Sequence, residues 1–447
     1  MEGNRQLDTA RLAILLCCCS VVAAGADAIE EASAAFRRQD YATAARHALA
    51  HVALHPGDPL GHDLLGTIFY LEGNLEAALL HWNRIGKPVL ADTGEMLRLE
   101  DLRIAQIRNP SQAVALEARD DGTFLLHLAP ARQFGFGSGN RWLAIAGMLR
   151  GVWHQALLPE YRTRQGTEVT AILRWDPDKR RAAADLIRPF GLQSRYRLRL
   201  GADARDERWQ LPNTPLFPLR RTAVHAAVSA LPGSSWQWSA GGEWSHREVG
   251  GLAGYQLKQT IRIDRALWRR PERRFHSAAH VESQTARLWM AGQSSLFAKT
   301  SGGLRAVWYP QRRGDNWVLE ARASAGTIAG RVPFDELFQL GIERDNHLWL
   351  RGHVGTRDGR KGSAPLGRRY GLAQLEYARK VWSNGLMTLS LSPFADLGRM
   401  ERTPLLIDLG IQAKLRILGV GVTFSYGRDL RNGRNAFYAW STAGGTR

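Results

Sequence analysis

The chain has 447 residues, room for two or three ordinary domains or for one small domain and a large β-barrel. Sixty Lys and Arg face 42 Asp and Glu, a formal net charge of +18, and only seven of the sixty are Lys. An arginine excess can mark nucleic-acid binding, but 45 Gly, 15 Trp and arginines that alternate with apolar residues argue against a basic tail or a finger array, so no nucleic-acid partner is expected.

The three cysteines are consecutive, Cys17 to Cys19, which leaves no disulfide framework, zinc site or thiol nucleophile in the rest of the chain. Arg5 and Arg11 precede an apolar run from Leu12 to Ala24, followed by Ala26-Asp27-Ala28. This is the order of a secretory signal peptide, residues 1–28, with cleavage after Ala28. A lipoprotein would need a small residue before the acylated cysteine, and Leu16 is not one. Beyond Ala28 no apolar stretch reaches the roughly 18 residues of a membrane helix.

Residues 29–85 are helical and repetitive. At a shift of 34 residues Asp40 aligns with Asn74, Tyr41 with Leu75 and Ala44 with Ala78. Leu65, Gly66, Phe69, Gly73, Ala78 and Trp82 then alternate small and large packing residues, so this segment resembles the tetratricopeptide repeat, whose paired helices nest small side chains against bulky ones. An ordinary alanine-rich helical hairpin is the alternative. The resemblance implies a docking module attached to something larger. Residues 86–130 form a bridge, with a helical period over Met96 to Ile107. Two extended runs, Ala113 to Ala118 and Thr123 to Leu128, flank the turn Asp120-Asp121-Gly122. One helix and one hairpin resemble part of a polypeptide-transport-associated domain, which binds strands by edge pairing.

From residue 131 to 447 the period changes to two. Ile407, Leu409, Ile411, Ala413, Leu415 and Ile417 alternate with Asp408, Gly410, Gln412, Lys414 and Arg416. Strict alternation of this length suits a tilted membrane strand of about 9–11 residues, apolar outward and polar inward. Tyr196 to Ala204 and Trp236 to Trp244 repeat the pattern, and fourteen of the fifteen tryptophans follow residue 140, as interfacial girdles would require. At about 20 residues per strand and connection the segment holds on the order of 16 strands. The expected fold is therefore an all-β transmembrane barrel of antiparallel strands, preceded by a small α-helical segment. Ser383-Asn384-Gly385 and Leu418-Gly419 read as tight turns, and Gly341 to Gly367 as one long excursion.

Two motifs are specific. Pro333-Phe334-Asp335-Glu336-Leu337-Phe338 with Leu340-Gly341 leads to Leu350-Arg351-Gly352-His353, and Phe394-Ala395-Asp396-Leu397-Gly398 follows. With them the last 120 or so residues resemble the outer-membrane protein-assembly superfamily, or bacterial surface antigens, which includes BamA-like and TamA-like insertases and two-partner-secretion transporters. The resemblance implies that the long loop folds back into the lumen and that Arg351 pairs with Asp396. The alternation of Met387, Leu389, Leu391, Ala395 and Leu397 separately turns Asp396 inward. His353 stands where the family has an aromatic residue, and the chain runs on past Trp440 to Arg447.

Gly359-Arg360-Lys361-Gly362-Ser363 lacks phosphate-loop spacing and reads as a solvated loop. The thirteen histidines show no ligand spacing and no G-x-S-x-G elbow occurs, so neither an enzyme, a metal nor a cofactor is expected. Three functions remain. The first is an outer-membrane barrel that inserts or translocates polypeptides, with residues 29–130 in the periplasm contacting clients or partner proteins. The second is a passive pore or structural barrel of the same fold, and the third a soluble periplasmic repeat scaffold with a β-rich domain.

Overall fold

The computed structural model describes residues 28–91 except 73 and 87–89, the short segments 113–118, 124–129, 134–135, 148–149 and 151–152, and residues 155–443 except 164–166, 192–195, 234, 312–315, 385 and 418–419. The signal peptide before residue 28, the helix over Met96 to Ile107 and the turns Asp120-Asp121-Gly122 and Leu418-Gly419 lie outside the described residues. The chain divides into two compact units, one holding the helices and one holding nearly everything after residue 128.

The first unit contains helices α1 (28–37), α2 (Tyr41–Leu54), α3 (Pro59–Leu71) and α4 (Leu75–Arg84). Each of the last three begins at a polar side chain that accepts an otherwise orphaned backbone N–H. Asp40 takes that of Thr43, Asp58 those of Leu60 and Gly61, and Asn74 that of Ala77. Ala48, Val52, Leu65, Phe69, Ala78 and Trp82 form the buried core. A Cβ on Gly66 would lie 2.2 Å from the Trp82 indole nitrogen, so α3 and α4 approach this closely only because position 66 has no side chain. The small-against-large pairing legible in the sequence is this contact. A separate three-stranded sheet places Phe124–Ala129 between Leu90–Ala91 and Ala113–Ala118, which makes the two runs flanking Asp120-Asp121-Gly122 neighbours.

The second unit is a barrel of antiparallel strands. Its long strands are β1 (Glu168–Asp176), β2 (Lys179–Phe190), β3 (Tyr196–Trp209), β4 (Phe217–Gly233), β5 (Trp236–Val249), β6 (Leu252–Arg270), β7 (Phe275–Met290), β8 (Gln293–Trp308), β9 (Trp317–Gly330), β10 (Arg369–Ser383), β11 (Met387–Met400), β12 (Leu406–Ile417), β13 (Val420–Asp429) and β14 (Asn435–Ala443). Each pairs with the next in sequence, β9 with β10 included. Short segments at Phe134–Gly135, Ala156–Leu157 and Glu160–Arg162 extend the ladder ahead of β1. The fourteen long strands and these fragments correspond to the expected number of about sixteen. The strand order sets β14 beside Phe134–Gly135, and among the described residues no residue-by-residue ladder joins the two, so the described part of the sheet is not closed there.

Strand lengths exceed those of an ordinary sandwich, and their two faces differ as the alternation required. On β12 Leu409 and Ile411 are exposed on the outside while Asp408 and Gln412 are buried within. Ile261, Ile263, Val281, Leu296, Leu304 and Phe424 add to the outward apolar surface, joined by Trp236, Trp238, Trp244, Trp268, Trp308 and Trp382. An apolar belt of this extent is not tolerated in water and matches a lipid-facing surface with aromatic girdles. No described helix is long and apolar enough to cross a membrane. Among the described connections only residues 331–368, between β9 and β10, form a long excursion, and the turns at both ends of the barrel are otherwise short.

Candidate functional site

The excursion between β9 and β10 is folded, and it is packed against inward-facing strand residues. Phe338–Gln339 pairs with Leu366–Gly367 across its base, and Thr356–Arg357 forms a hairpin with Arg360–Lys361 through the left-handed residues Asp358 and Gly359. The Phe334 ring stands edge-on to Trp209 of β3 and Phe217 of β4, at 5.1 and 5.2 Å between centroids. Leu340 and Leu350 lie in a buried apolar cluster with Phe297, Ile328, Tyr370, Leu372, Met400 and Leu406. The Asn346 side chain donates to the carbonyls of Gln339 and Gly341, which draws the two arms of the loop together.

At the tip, Arg351 reaches β11. Its Nε donates to Asp396 Oδ2 at 2.8 Å and its Nη2 to Oδ1 at 2.7 Å, while its backbone N–H donates to Oδ2 at 3.0 Å. Its third nitrogen, Nη1, donates to Glu376 on β10 at 2.8 Å, and the guanidinium lies over the Phe394 ring at 3.7 Å. Asp396 is fully buried and Arg351 nearly so. The planar fork of arginine meets two carboxylates and a ring face at once, which the point charge of lysine does not do. Gly352 donates its N–H to Asp408 on β12. His353 sets Nδ1 3.2 Å from Asp408 Oδ2 and Nε2 3.5 Å from Asp429 Oδ2 on β13. Two glycines make room. A Cβ on Gly398 would lie 2.9 Å from Leu350, and one on Gly352 would lie 2.6 Å from the Asp408 carboxyl.

Two further ionic clusters fix the loop elsewhere. Near its start, Glu336 lies within reach of Arg221, Arg247 and Lys258, and Arg247 also donates to Asp335 at 2.7 Å. Midway, Asp345 accepts from Arg174 of β1 at 2.9 Å and Arg181 of β2 at 2.7 Å. Lys361 bridges Glu207 at 2.7 Å and Glu343 at 3.2 Å, and Glu343 also pairs with Lys179. Burial alone would raise the Asp345 carboxyl, but Lys179, Arg174, Lys361 and Arg181 together hold it well below the usual carboxylate range. The loop is therefore tied to strands from β1 to β13.

Of the residues singled out in the sequence, Leu350, Arg351, Gly352 and His353 meet Phe394, Asp396 and Gly398 at this tip. Gly359-Arg360-Lys361-Gly362-Ser363 departs from the solvated-loop expectation. Lys361 is buried, because the hairpin turns it onto Glu207 and Glu343. Sequence reasoning passed over Glu376, Asp408 and Asp429. Asp408 stood among the polar positions of the alternating run, and its register partners are Asp396 on one side and Asp429 on the other. The interior is polar elsewhere too. Among the described residues it holds cavities of about 290 and 670 Å³, the first lined in part by Arg181, Asp185, Arg199 and His225, the second by Arg262, Glu282, Arg305 and Arg322.

No family model and no curated protein matches the sequence. Solved structures do. CdiB from Escherichia coli superposes with a TM-score of 0.51 at 13% identity, over 78% of this chain and 71% of that one. BamA from Haemophilus ducreyi lacking POTRA domains 1–3 gives 0.49 at 10% identity over 78% and 79%, and CdiB from Acinetobacter baumannii 0.45 at 12% over 78% and 68%. At 13% identity the likeness to CdiB from Escherichia coli is one of fold, that of an antiparallel β-barrel.

Proposed function

We propose that the protein is an outer-membrane β-barrel that inserts or translocates polypeptides, with the helical segment and the bridge to residue 130 facing the periplasm and gathering clients or partner proteins. The observation that supports this most is the loop 331–368, held against the inner wall by ion pairs that reach both β1–β3 and β10–β13. A barrel whose lumen is occupied by a segment fastened through polar contacts can be blocked at rest and still yield when a client competes for those contacts. The coarse assignment also accords with the fold of CdiB from Escherichia coli, and the reading requires no catalytic step. The lipid-facing belt argues against the soluble scaffold.

The test is made in cells of the source organism. Outer-membrane barrel proteins and secreted polypeptides are quantified by mass spectrometry with the wild-type protein, without it, and with Arg351→Ala. Loss of a defined set of polypeptides in the last two strains supports the proposal. An unchanged outer-membrane and secreted proteome, together with steady ion conductance of the purified wild-type barrel in planar bilayers, transfers the assignment to a passive pore.

A further inference from the structure

We propose that His353, Asp408 and Asp429 form a binding site for one divalent transition-metal ion of the zinc or manganese class, which fastens the loop tip to β12 and β13. One ligand atom from each of the three lies within 4.8 Å of the other two. His353 Nε2 lies 3.5 Å from Asp429 Oδ2, close to the spacing that bonds of about 2.0–2.2 Å to a tetrahedral ion require, while Nδ1 faces Asp408 Oδ2 at 3.2 Å, so an ion held by Nε2 would take Asp408 through its other oxygen, Oδ1. Both carboxylates are fully buried, and His353 is 12% exposed at its side chain.

Two observations beyond proximity point to a cation. The first is charge. Glu376, Asp396, Asp408 and Asp429 lie together on four adjacent strands, and their ion pairs among the described residues are with Arg351, Lys414 and His353. Arg351 and Lys414 supply two positive charges against four negative ones. A neutral imidazole adds none and carries a single N–H, so it cannot donate to Asp408 and Asp429 together. An imidazolium could donate to both, and would still leave one carboxylate uncompensated. The second is an orphaned atom. Asp408 Oδ2 accepts from Gly352 and faces His353, whereas Oδ1 is buried without a hydrogen-bond partner. A buried carboxylate oxygen in that state calls for an ion or a water.

The donor set decides the class of ion. One imidazole with two carboxylates suits zinc or manganese, while magnesium and calcium take oxygen ligands alone. The carboxylates are held as ligands usually are. Gly352 N–H orients Asp408, and the Arg431 N–H at 2.9 Å with the Asn432 side chain at 2.6 Å orients Asp429. Linear spacing could not reveal the site, because its three residues come from a loop, a strand and the end of the next strand.

The experiment uses the full chain folded in detergent, stripped with EDTA and then dialysed against zinc, manganese, magnesium or calcium chloride. Bound metal is measured by elemental mass spectrometry, and docking of the loop by trypsin cleavage within residues 340–365. The expected result is one zinc or manganese per chain, protection restored by these ions and not by magnesium or calcium, and affinity reduced at least 100-fold in Asp429→Asn and in His353→Gln. Arg351→Ala keeps all three ligand residues in the chain but frees the tip that carries His353, so it should weaken metal binding by a route that Asp429→Asn does not share. Three results would overturn the proposal: no stoichiometric metal in the wild type, metal retained by both ligand variants, or equal protection with and without the chelator. The last would leave an imidazolium bridge as the whole of the contact.

Discussion

Removing the Arg351 side chain and removing the Asp396 carboxylate are not equivalent perturbations. In Arg351→Ala, Glu376 keeps Lys414 at 2.5 Å, but Asp396 is left fully buried with one backbone N–H from position 351. An uncompensated buried charge costs about 3–5 kcal/mol. In Asp396→Ala, Arg351 still has Glu376 at 2.8 Å, and one negative charge disappears from beside Asp408. The loss should then be about 2 kcal/mol, nearer to one charged hydrogen bond than to a stranded ion. These energies hold the loop on the wall, so they are read as local opening rather than global unfolding. At low trypsin concentration the cleavage rate within residues 340–365 follows the opening equilibrium. Arg351→Ala should raise that rate by roughly two to three and a half powers of ten, since 1.4 kcal/mol is tenfold. Asp396→Ala should raise it by between one and two. The double mutant should be no more sensitive than Arg351→Ala, because its stranded carboxylate has gone. Rates that multiply in the double mutant, or an Asp396→Ala effect as large as that of Arg351→Ala, would refute the account.

Three further outcomes follow from other parts of the molecule. Ile261→Arg, on the outer face of β6, should destabilise the folded barrel in lipid by about 2–4 kcal/mol near the midplane, while Thr260→Arg, which lines an interior cavity, should cost much less; urea titration of both would show whether the two faces have been assigned correctly. His62 is buried in the helical unit, its Nδ1 2.9 Å from that of His81. Burial, with the charges of His81 and Arg84, lowers its pKa below the ordinary 6.5 despite the bond to the Pro56 carbonyl. Its neutral form is the folded one, so the unfolded helices bind the extra proton and stability present above pH 6.5 is lost as pH falls below it; proteolysis of residues 28–85 should quicken from pH 7.5 to 5.5, and an unchanged rate would contradict this. Gly66→Ala should destabilise the same unit by about 1–3 kcal/mol despite alanine's better helix propensity, because its Cβ would meet the Trp82 ring; a rise in the thermal midpoint would disprove the contact.

The wall of the barrel was legible because its signal is local. The pleat sends successive side chains to opposite faces, and Leu409, Ile411, Asp408 and Gln412 lie on the faces that their alternation assigned. Gly66 and Trp82 were singled out by likeness to a helical repeat, and their contact across one helical hairpin came only with the structure. Arg351 and Asp396 came from motif resemblance, with the parity of β11 turning Asp396 inward. Glu376, Asp408 and Asp429 were passed over because what distinguishes them is cross-strand register, which a single sequence does not carry. Lys361 was misread because a hairpin inside a long loop was taken for an exposed turn, and its burial depends on β3 supplying Glu207.

The row Asp396, Asp408 and Asp429 has a kinetic meaning as well as a static one. The three are direct register partners across β11, β12 and β13, so a bare meander of these strands would zip up with like charges face to face. That hairpin sequence gains little by closing until Arg351, Gly352 and His353 arrive to accept the charge. The loop tip is then a folding partner of the last strands and not an ornament added to a finished wall. Strands β11 to β13 and residues 350–353 should form in one cooperative step late in assembly, and a chain that cannot deliver its tip should stall with these strands unzipped.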